Sequence, residues 1–207
     1  MIIYSKYFKR IFDIFFSLFI LIIFLPIIIV ICIVQVIIYN GKIFYFQYRT
    51  GLEEVSFQII KFKTMKDIYG PSKKLLPDSH RLTKFGKFLR FFSLDELPNF
   101  FNVLWGQMSI VGPRPLPVKY ASKMSKHQRK RFSVRPGITG LAQVSGRNNL
   151  DWNEKIKLDI IYINRIKLIF DFKIILRSLF VLTGSNENKE ISGISIDNYE
   201  PNFKKSS

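Results

Sequence analysis

The chain has 207 residues and combines a strong positive charge with a high apolar content: 32 Lys and Arg stand against 15 Asp and Glu, and 48% of the residues are hydrophobic. This length allows one or at most two domains, with enough chain to bury a core. The formal net charge of +17 predicts an anionic partner, either nucleic acid, an acidic membrane surface or a phosphorylated substrate, and the 21 Phe residues favour the membrane. A single cysteine, Cys32, excludes an intramolecular disulfide, and the sequence has no His and Cys spacing typical of zinc.

The first predicted element is an apolar segment over residues 11–38, which as a helix is long enough for a hydrocarbon core of ~30 Å. Pro26 lies near its midpoint and divides it into two arms that are each too short to cross alone. Basic residues flank both ends, so the positive-inside bias favours the cytoplasm for both. They are Lys6, Lys9 and Arg10 before the segment and Lys42, Arg49, Lys61 and Lys63 after it. Two paths stay open at this point, a kinked spanning helix and a re-entrant helix that enters and leaves by the same face.

The next elements are a β-hairpin and two helices. Segments 43–49 and 55–65 are aromatic and β-branched, and the polar turn between them predicts a hairpin. A loop over residues 66–79 precedes an amphipathic helix over 80–92, whose apolar stripe is formed by Phe85, Phe88, Leu89 and Phe92. This stripe suits either a protein core or the headgroup boundary of a membrane. A second helix over residues 98–105 ends at Gly106, which favours a left-handed cap.

The C-terminal half reads as a Pro-rich turn over 111–117, a basic helix over 119–133, a Gly-punctuated loop over 135–148 and a long helical region over 152–182. Charged side chains in the last part of that helix make a second membrane span costly, so an interfacial or core-packed helix is predicted. They are Lys167, Asp171, Lys173 and Arg177. The tail from residue 184 is polar.

The stretch SLDE, residues 93–96, permits two interpretations. As a capping box, Ser93 accepts a hydrogen bond from the Glu96 amide while the Glu96 side chain reaches back to the Ser93 amide. As a functional pair, Asp95 and Glu96 lie in a region rich in arginine, and carboxylates near phosphate-binding guanidinium groups suit a Mg²⁺ site or a phosphoryl-transfer nucleophile. The guanidinium groups in question are those of Arg90, Arg114 and Arg147.

Three motifs in this order resemble the bacterial sugar transferases, the monotopic phosphoglycosyl transferases. They are KFKTM (61–65), RLTKFGKFLRFFSLDELPNFFNVLWGQMSIVGPRP (81–115) and RPGITGLAQVSGRN (135–148), behind an N-terminal hydrophobic helix. The resemblance covers the chain to about residue 183 and is to the minimal, catalytic-domain form of the family. It implies an α+β, mainly helical fold with a re-entrant membrane helix over residues 1–40, a catalytic domain over 41–184 and a polar tail over 185–207.

The resemblance also implies a reaction. A sugar phosphate passes from a UDP-sugar to polyprenyl phosphate, with release of UMP, at the cytoplasmic face of the bacterial inner membrane. By motif position, Asp95 is the nucleophile and Glu96 helps to hold Mg²⁺, while Pro26 breaks the membrane helix. The positions implied for phosphate or nucleotide contacts and for the organisation of the site are Lys61, Arg90, Arg114, Arg147 and Asp159.

Two rival functions fit the residues without the resemblance. One is a membrane-associated phosphatase or phosphodiesterase with water as acceptor, and the other is a basic protein that binds anionic lipid or nucleic acid without chemistry. The resemblance implies that nucleic acid is not a partner, and it is compatible with a homodimer. The sequence does not identify the sugar or the glycan pathway.

Overall fold

The computed structural model describes residues 8–146 and 149–183 of the chain. It is mainly helical with two small sheets, in agreement with the predicted fold class. The helices are α1 (Lys9–Ile23), α2 (Leu25–Tyr39), α3 (Asp78–Arg81), α4 (Lys84–Phe91), α5 (Asn99–Leu104), α6 (Val118–Ala121), α7 (Lys126–Arg129), α8 (Leu141–Ser145), α9 (Trp152–Asn164) and α10 (Leu168–Thr183). The strands are β1 (Phe44–Thr50), β2 (Ser56–Phe62), β3 (Ser109–Val111), β4 (Leu116–Pro117) and β5 (Gly137–Thr139). The predicted polar tail lies outside the described residues.

The apolar N-terminal segment forms two helices that meet at Phe24 with a bend of 63°. Pro26 occupies the first turn of α2, two residues after this junction, where a missing N–H and a fixed φ are tolerated. In the described part of the chain no single helix is long and apolar enough to cross a membrane. The bent pair α1 and α2, taken together, has the length and apolar composition to do so.

Polar side chains of α1 attach this helix to the rest of the fold. The Arg10 guanidinium donates to the carbonyl oxygens of Val103 and Leu104, at 2.5 and 2.8 Å. The buried Asp13 carboxylate accepts a hydrogen bond from the amide of Ile110 at 3.0 Å. These bonds satisfy the C-terminal carbonyls of α5 and a backbone amide of β3, so α1 is docked specifically rather than only by apolar contact.

The hairpin predicted from residues 43–65 is present as the antiparallel pair β1–β2, with Tyr45 opposite Lys61 and Arg49 opposite Phe57. Strand β4, inside the predicted Pro-rich turn, joins the other edge of β1 and places Pro117 opposite Arg49. Strand β4 begins two residues after Arg114. Its pairing with β1 therefore holds the turn that contains Arg114 next to the hairpin.

Segment 135–148 was expected to be a loop, and this prediction is wrong. It contains β5, which pairs in parallel with β3, followed directly by α8. Its glycines permit close backbone packing rather than a flexible loop. A Cβ at Gly137 would lie 2.1 Å from the Gly112 nitrogen, and one at Gly140 would lie 2.1 Å from the Gly112 oxygen.

Three predicted helices are divided in the structure, each for a local reason. The helix over 80–92 is α3 followed by α4, because Thr83 Oγ1 caps the start of α4 by accepting from the Gly86 amide at 2.9 Å. The basic helix over 119–133 is wrong as one element, since a capping box of Ser125 and Gln128 begins a new short helix. The long region 152–182 is α9 and α10, and Arg165 ends α9.

Exposed aromatic and aliphatic side chains cover α4 and α10. On α4, Leu89 is buried while Phe88, Phe91 and the following Phe92 are exposed, so its apolar stripe serves both a core and a surface. The charges of α10 do not all lie on one solvated face, because Asp171 is buried. The exposed apolar residues of α10 are Leu168, Ile169, Phe172, Leu176, Leu179 and Phe180. An apolar surface of this kind, next to a bent apolar helix pair, suits the headgroup boundary of a bilayer.

Candidate active site

Asp95 and Glu96 lie in a 3₁₀ turn, Leu94–Glu96, between α4 and α5. The turn starts at Ser93, whose φ of 55° is left-handed and uncommon for a residue with a Cβ. Such strained backbone concentrates at functional sites. The predicted capping box is wrong: the Ser93 side chain makes no cap hydrogen bond, and the Glu96 side chain instead points to cations on other elements.

The Glu96 carboxylate holds two of the predicted phosphate-binding residues. Lys61 Nζ on β2 lies 2.5 Å from Glu96 Oε1, and Arg114 Nη2 in the Pro-rich turn lies 3.1 Å from the same oxygen. Burial alone would raise the pKa of Glu96, but Arg114 and Lys61 together lower that pKa to about 2. Glu96 is therefore ionised at neutral pH and fixes the positions of both cations.

Asp95 is buried, with 9% of its surface exposed. Burial raises the pKa of its carboxyl, and the negative charge of Glu96 raises it further, while Lys61, Arg90 and Arg114 lower it in part. Desolvation therefore outweighs the nearby cations in its effect on the pKa of Asp95. Desolvation makes a carboxylate more nucleophilic than a hydrated one, and the nearby cations act in the opposite direction by stabilising its charge.

Arg90 reaches the site from α4. Its Nε donates to Thr64 Oγ1 at 3.0 Å, next to the KFKTM motif. Gly86 permits this approach, since a Cβ there would lie 2.1 Å from the Thr64 carbonyl oxygen. Helix α4 thus packs directly on the backbone that follows Lys61, and Arg90 lies close enough to Asp95 to act on its charge.

Asp159 is buried and is connected to the turn that carries Arg114 through a second residue. It forms a buried ion pair with Arg131 at 2.7 Å, and each side chain is 3% exposed. Arg131 Nη2 also donates to the carbonyl oxygen of Arg114 at 2.9 Å. Asp159 therefore orients the turn that carries Arg114, by way of Arg131, a residue that the sequence analysis did not select.

A cleft opens beside Glu96, between the sheet and the turn that carries Arg114. The residues lining it are Arg49, Ile59, Lys61, Glu96, Asn99, Met108, Arg114, Pro115, Gly137 and Ile138. Lys61, Glu96 and Arg114 were predicted, whereas Arg49 and Asn99 were not. Strand alternation could have indicated Arg49, because in the predicted hairpin it shares a sheet face with Lys61. The predicted residue Arg147 lies outside the described residues.

The acidic pair fits the predicted magnesium ion in the chemistry of its donors. Among the described residues there is no group of three or more His, Cys, Asp and Glu side chains of the kind that forms a complete metal cage. Mg²⁺ is commonly held by one or two carboxylates together with substrate phosphates. Lys61 and Arg114 both bond to Glu96 Oε1, so Oε2 carries neither of these bonds.

The comparison with known families identifies the class of protein. The family described as bacterial sugar transferase matches residues 4–185. The chain belongs to this family, as the three motifs indicated. The membership confirms the predicted enzyme class, a phosphoglycosyl transferase.

Individual relatives agree with the family. The chain is 38% identical to the "Uncharacterized sugar transferase EpsL" of Bacillus subtilis, over 89% of this chain and 93% of that protein. It is 43% identical to the "Galactosyl transferase CpsE" of Streptococcus agalactiae, over 69% of this chain and 35% of that protein. It is also 41% identical to the "UDP-glucose:undecaprenyl-phosphate glucose-1-phosphate transferase" of Klebsiella pneumoniae, over 68% of this chain and 32% of that protein. The chain thus spans about a third of the length of the last two.

Proposed function

We propose that this enzyme transfers a sugar phosphate from a UDP-sugar to a polyprenyl phosphate. A carboxylate oxygen of Asp95 attacks the β-phosphorus of the donor, the bond from that phosphorus to the bridging oxygen breaks, and UMP leaves with the oxygen. A phosphate oxygen of the polyprenyl phosphate then attacks the same phosphorus. The Asp95 carboxylate is released, and the product is a polyprenyl-diphosphate sugar.

The observation that carries this proposal is the position of Asp95 next to a carboxylate that holds two cations. Asp95 and Glu96 are adjacent in one strained turn, and Glu96 bonds Lys61 and Arg114 at the edge of the cleft. A phosphoryl-transfer site needs positioned positive charge around the transferring group and a nucleophile that is not fully solvated. The relatives named for transfer to undecaprenyl phosphate support the acceptor class.

Each charged residue has a part in the two steps. Arg114 and Lys61 bind donor phosphate oxygens and offset the charge that develops on them. Glu96 orients both cations and, through Oε2, is the ligand proposed for Mg²⁺. When bound, the metal ion would neutralise charge on the diphosphate and on the leaving phosphate. The positive charge of Arg90 lowers the free-energy cost of ionising the buried Asp95 carboxyl.

The proposed setting is the cytoplasmic face of the inner membrane, with residues 1–40 inserted as a re-entrant helix and residues 41–184 as the catalytic domain. Two features support it: the bend between α1 and α2, and the exposed apolar residues of α4 and α10. In this arrangement the site lies at the depth of the lipid phosphate, so donor and acceptor reach the same carboxylate in turn.

UMP release tests this proposal against the two rivals. Purified full-length protein with Mg²⁺ is given a panel of UDP-sugars, with and without polyprenyl phosphate. The proposal expects a burst of UMP equal to the enzyme concentration without acceptor, and sustained release with it. Asp95→Asn is expected to release none, while Asp78→Asn, a substitution of an exposed carboxylate that does not line the cleft, is expected to behave as wild type. Continuous release without acceptor would identify a hydrolase, and no release with any donor would identify a binding protein.

A further inference from the structure

Arg49 lines the cleft from strand β1 of the hairpin, next to strand β4, which follows the turn that carries Arg114. It lines the cleft together with Lys61 and Arg114. The pairing of β1 with both β2 and β4 fixes its place, since Arg49 lies opposite Phe57 on one side and Pro117 on the other. Arg49 is thus held by the sheet rather than by a flexible surface loop.

The guanidinium of Arg49 has hydrogen-bonding capacity that the described part of the chain does not use. Its Nη2 donates to Gln47 Oε1 at 2.5 Å, two residues away on the same strand face. Its Nε is buried and has no hydrogen-bond partner among the described residues. A buried donor without a partner costs free energy, and a ligand that accepts its hydrogen bond removes that cost.

The charges lining the cleft are also unbalanced. Three cations, Arg49, Lys61 and Arg114, face one lining carboxylate, Glu96. Glu96 bonds to Lys61 and Arg114, so Arg49 has no carboxylate of its own in these contacts. Burial lowers the pKa of the Arg49 guanidinium, and the neighbouring charge of Arg114 lowers it further. An anion with two charged phosphates would offset this repulsion.

From this geometry we infer that Arg49 is a further substrate-binding residue, which binds the diphosphate of the nucleotide-sugar donor together with Arg114. This inference rests on the proposed function, because it names the substrate group that Arg49 binds in that reaction. Arginine suits the task, since its planar fork can hold two phosphate oxygens at once. The acceptor lipid carries a phosphate of similar chemistry, and the experiment has separate arms for the two sources.

Binding and kinetics of Arg49 variants test the inference. Full-length wild type, Arg49→Met and Arg49→Lys are titrated with UDP, inorganic pyrophosphate and uridine, and KM is measured for donor and acceptor separately. Arg49→Met is expected to weaken UDP and pyrophosphate binding by about tenfold or more, as for loss of a charge-assisted hydrogen bond, with uridine binding unchanged. Arg49→Lys keeps the charge and loses the fork, so an intermediate loss is expected. Arg129→Met is the matched control, because Arg129 is exposed and pairs with Glu54.

Two results would overturn the inference. One is UDP and pyrophosphate affinity in Arg49→Met equal to wild type, and the other is a rise of KM for polyprenyl phosphate with donor affinity unchanged. If Arg49→Met does not fold, Arg49→Lys decides by the same comparison. The experiment distinguishes failure of the inference from failure of the proposed function. If the wild type transfers sugar phosphate and the Arg49 variants bind UDP normally, only the inference about Arg49 is refuted. Wild type that releases no UMP refutes the proposed function, and pyrophosphate binding still tests Arg49.

Discussion

Lys9 Nζ lies 2.6 Å from Asp171 Oδ2, and this ion pair joins the first described helix to the last. Both side chains are buried. The Tyr162 hydroxyl lies 2.8 Å from the other carboxylate oxygen of Asp171 and 3.0 Å from the Val111 carbonyl oxygen, and it donates its single proton to one of these two acceptors at a time. The contact therefore connects the apolar helix pair to α9, α10 and the small parallel sheet.

Asp171→Asn tests how much this ion pair contributes to the stability of the fold. The substitution removes the carboxylate that bonds to the buried Lys9 ammonium group and leaves the charge of Asp13 near it. We therefore expect a loss of about 3 kcal/mol in the free energy of unfolding, the lower end for a broken buried ion pair. Chemical denaturation in detergent micelles measures it. Lys173→Met, an exposed substitution on the same helix, is the control and is expected to change stability by less than ~0.5 kcal/mol. Equal stability of the two variants would contradict a structural role for the pair.

Asp159→Asn is expected to weaken donor binding through Arg114. The variant leaves Arg131 buried without its carboxylate, and Arg131 holds the Arg114 carbonyl oxygen. We expect the donor KM to rise by roughly tenfold, an interaction of ~1.4 kcal/mol. In an Arg114→Met background the same substitution should have almost no further effect on KM, because coupled residues are not additive. Lys157→Met, exposed on the same helix, serves as control. If the effects of Asp159→Asn and Arg114→Met on the donor KM were fully additive, Asp159 would act on donor binding by a route that does not involve Arg114.

Asp95 and Glu96 are expected to affect stability in opposite directions. The raised pKa of Asp95 means that its contribution to stability is present at low pH and is lost as pH rises through that pKa. The pKa of Glu96 is lowered from 4.5 to about 2, so its contribution is present above 4.5 and is lost as pH falls through this window.

At neutral pH, Asp95→Asn should therefore stabilise the protein and Glu96→Gln should destabilise it, the latter by up to about 3 kcal/mol. Thermal unfolding of both variants against wild type, repeated at several pH values, measures the effect. The deficit of Glu96→Gln should shrink as pH falls below 4.5. Destabilisation by Asp95→Asn at neutral pH would show that burial does not dominate the Asp95 site.

The path of the N-terminal helix pair can be read by cysteine labelling. In a Cys32→Ala background, Tyr4→Cys should be protected from a membrane-impermeant maleimide in intact cells, because a re-entrant path keeps both ends on the cytoplasmic side. Adding Pro26→Ala should straighten the segment and expose the label site, since the helix then has no missing N–H at its break. Labelling of Tyr4→Cys with Pro26 intact would show a spanning helix.

The sequence predicted those elements that depend on neighbouring residues. Alternation in residues 43–65 indicated the hairpin, and Pro26 indicated the helix break, because both signals are local. Segment 135–148 was misread as loop since its strand pairs with β3, a distant segment, and its glycines serve a close approach to Gly112. Long-range pairing of this kind leaves no periodic pattern in a short, Gly-rich stretch.

The candidate site was predictable where a motif carried it. Glu96 and Arg114 were selected as an acidic residue and a nearby arginine, Lys61 came from the family resemblance, and the structure brings the three into contact. Ser93 and Glu96 matched a capping box, but the two cations attract the Glu96 side chain more strongly than a backbone amide does. Arg49 and Arg131 were missed because their positions depend on strand pairing and on a buried contact between distant segments.

The central claim is a covalent bond between the sugar phosphate and Asp95, and intact-protein mass spectrometry tests it most directly. Wild-type protein and Asp95→Asn are incubated with Mg²⁺ and a UDP-sugar without acceptor, and the modified peptide is then mapped. The account predicts a single sugar-phosphate adduct on the peptide that contains Asp95, absent from Asp95→Asn and lost from wild type when polyprenyl phosphate is added. Acceptor-dependent turnover without any adduct, or full turnover by Asp95→Asn, would contradict it.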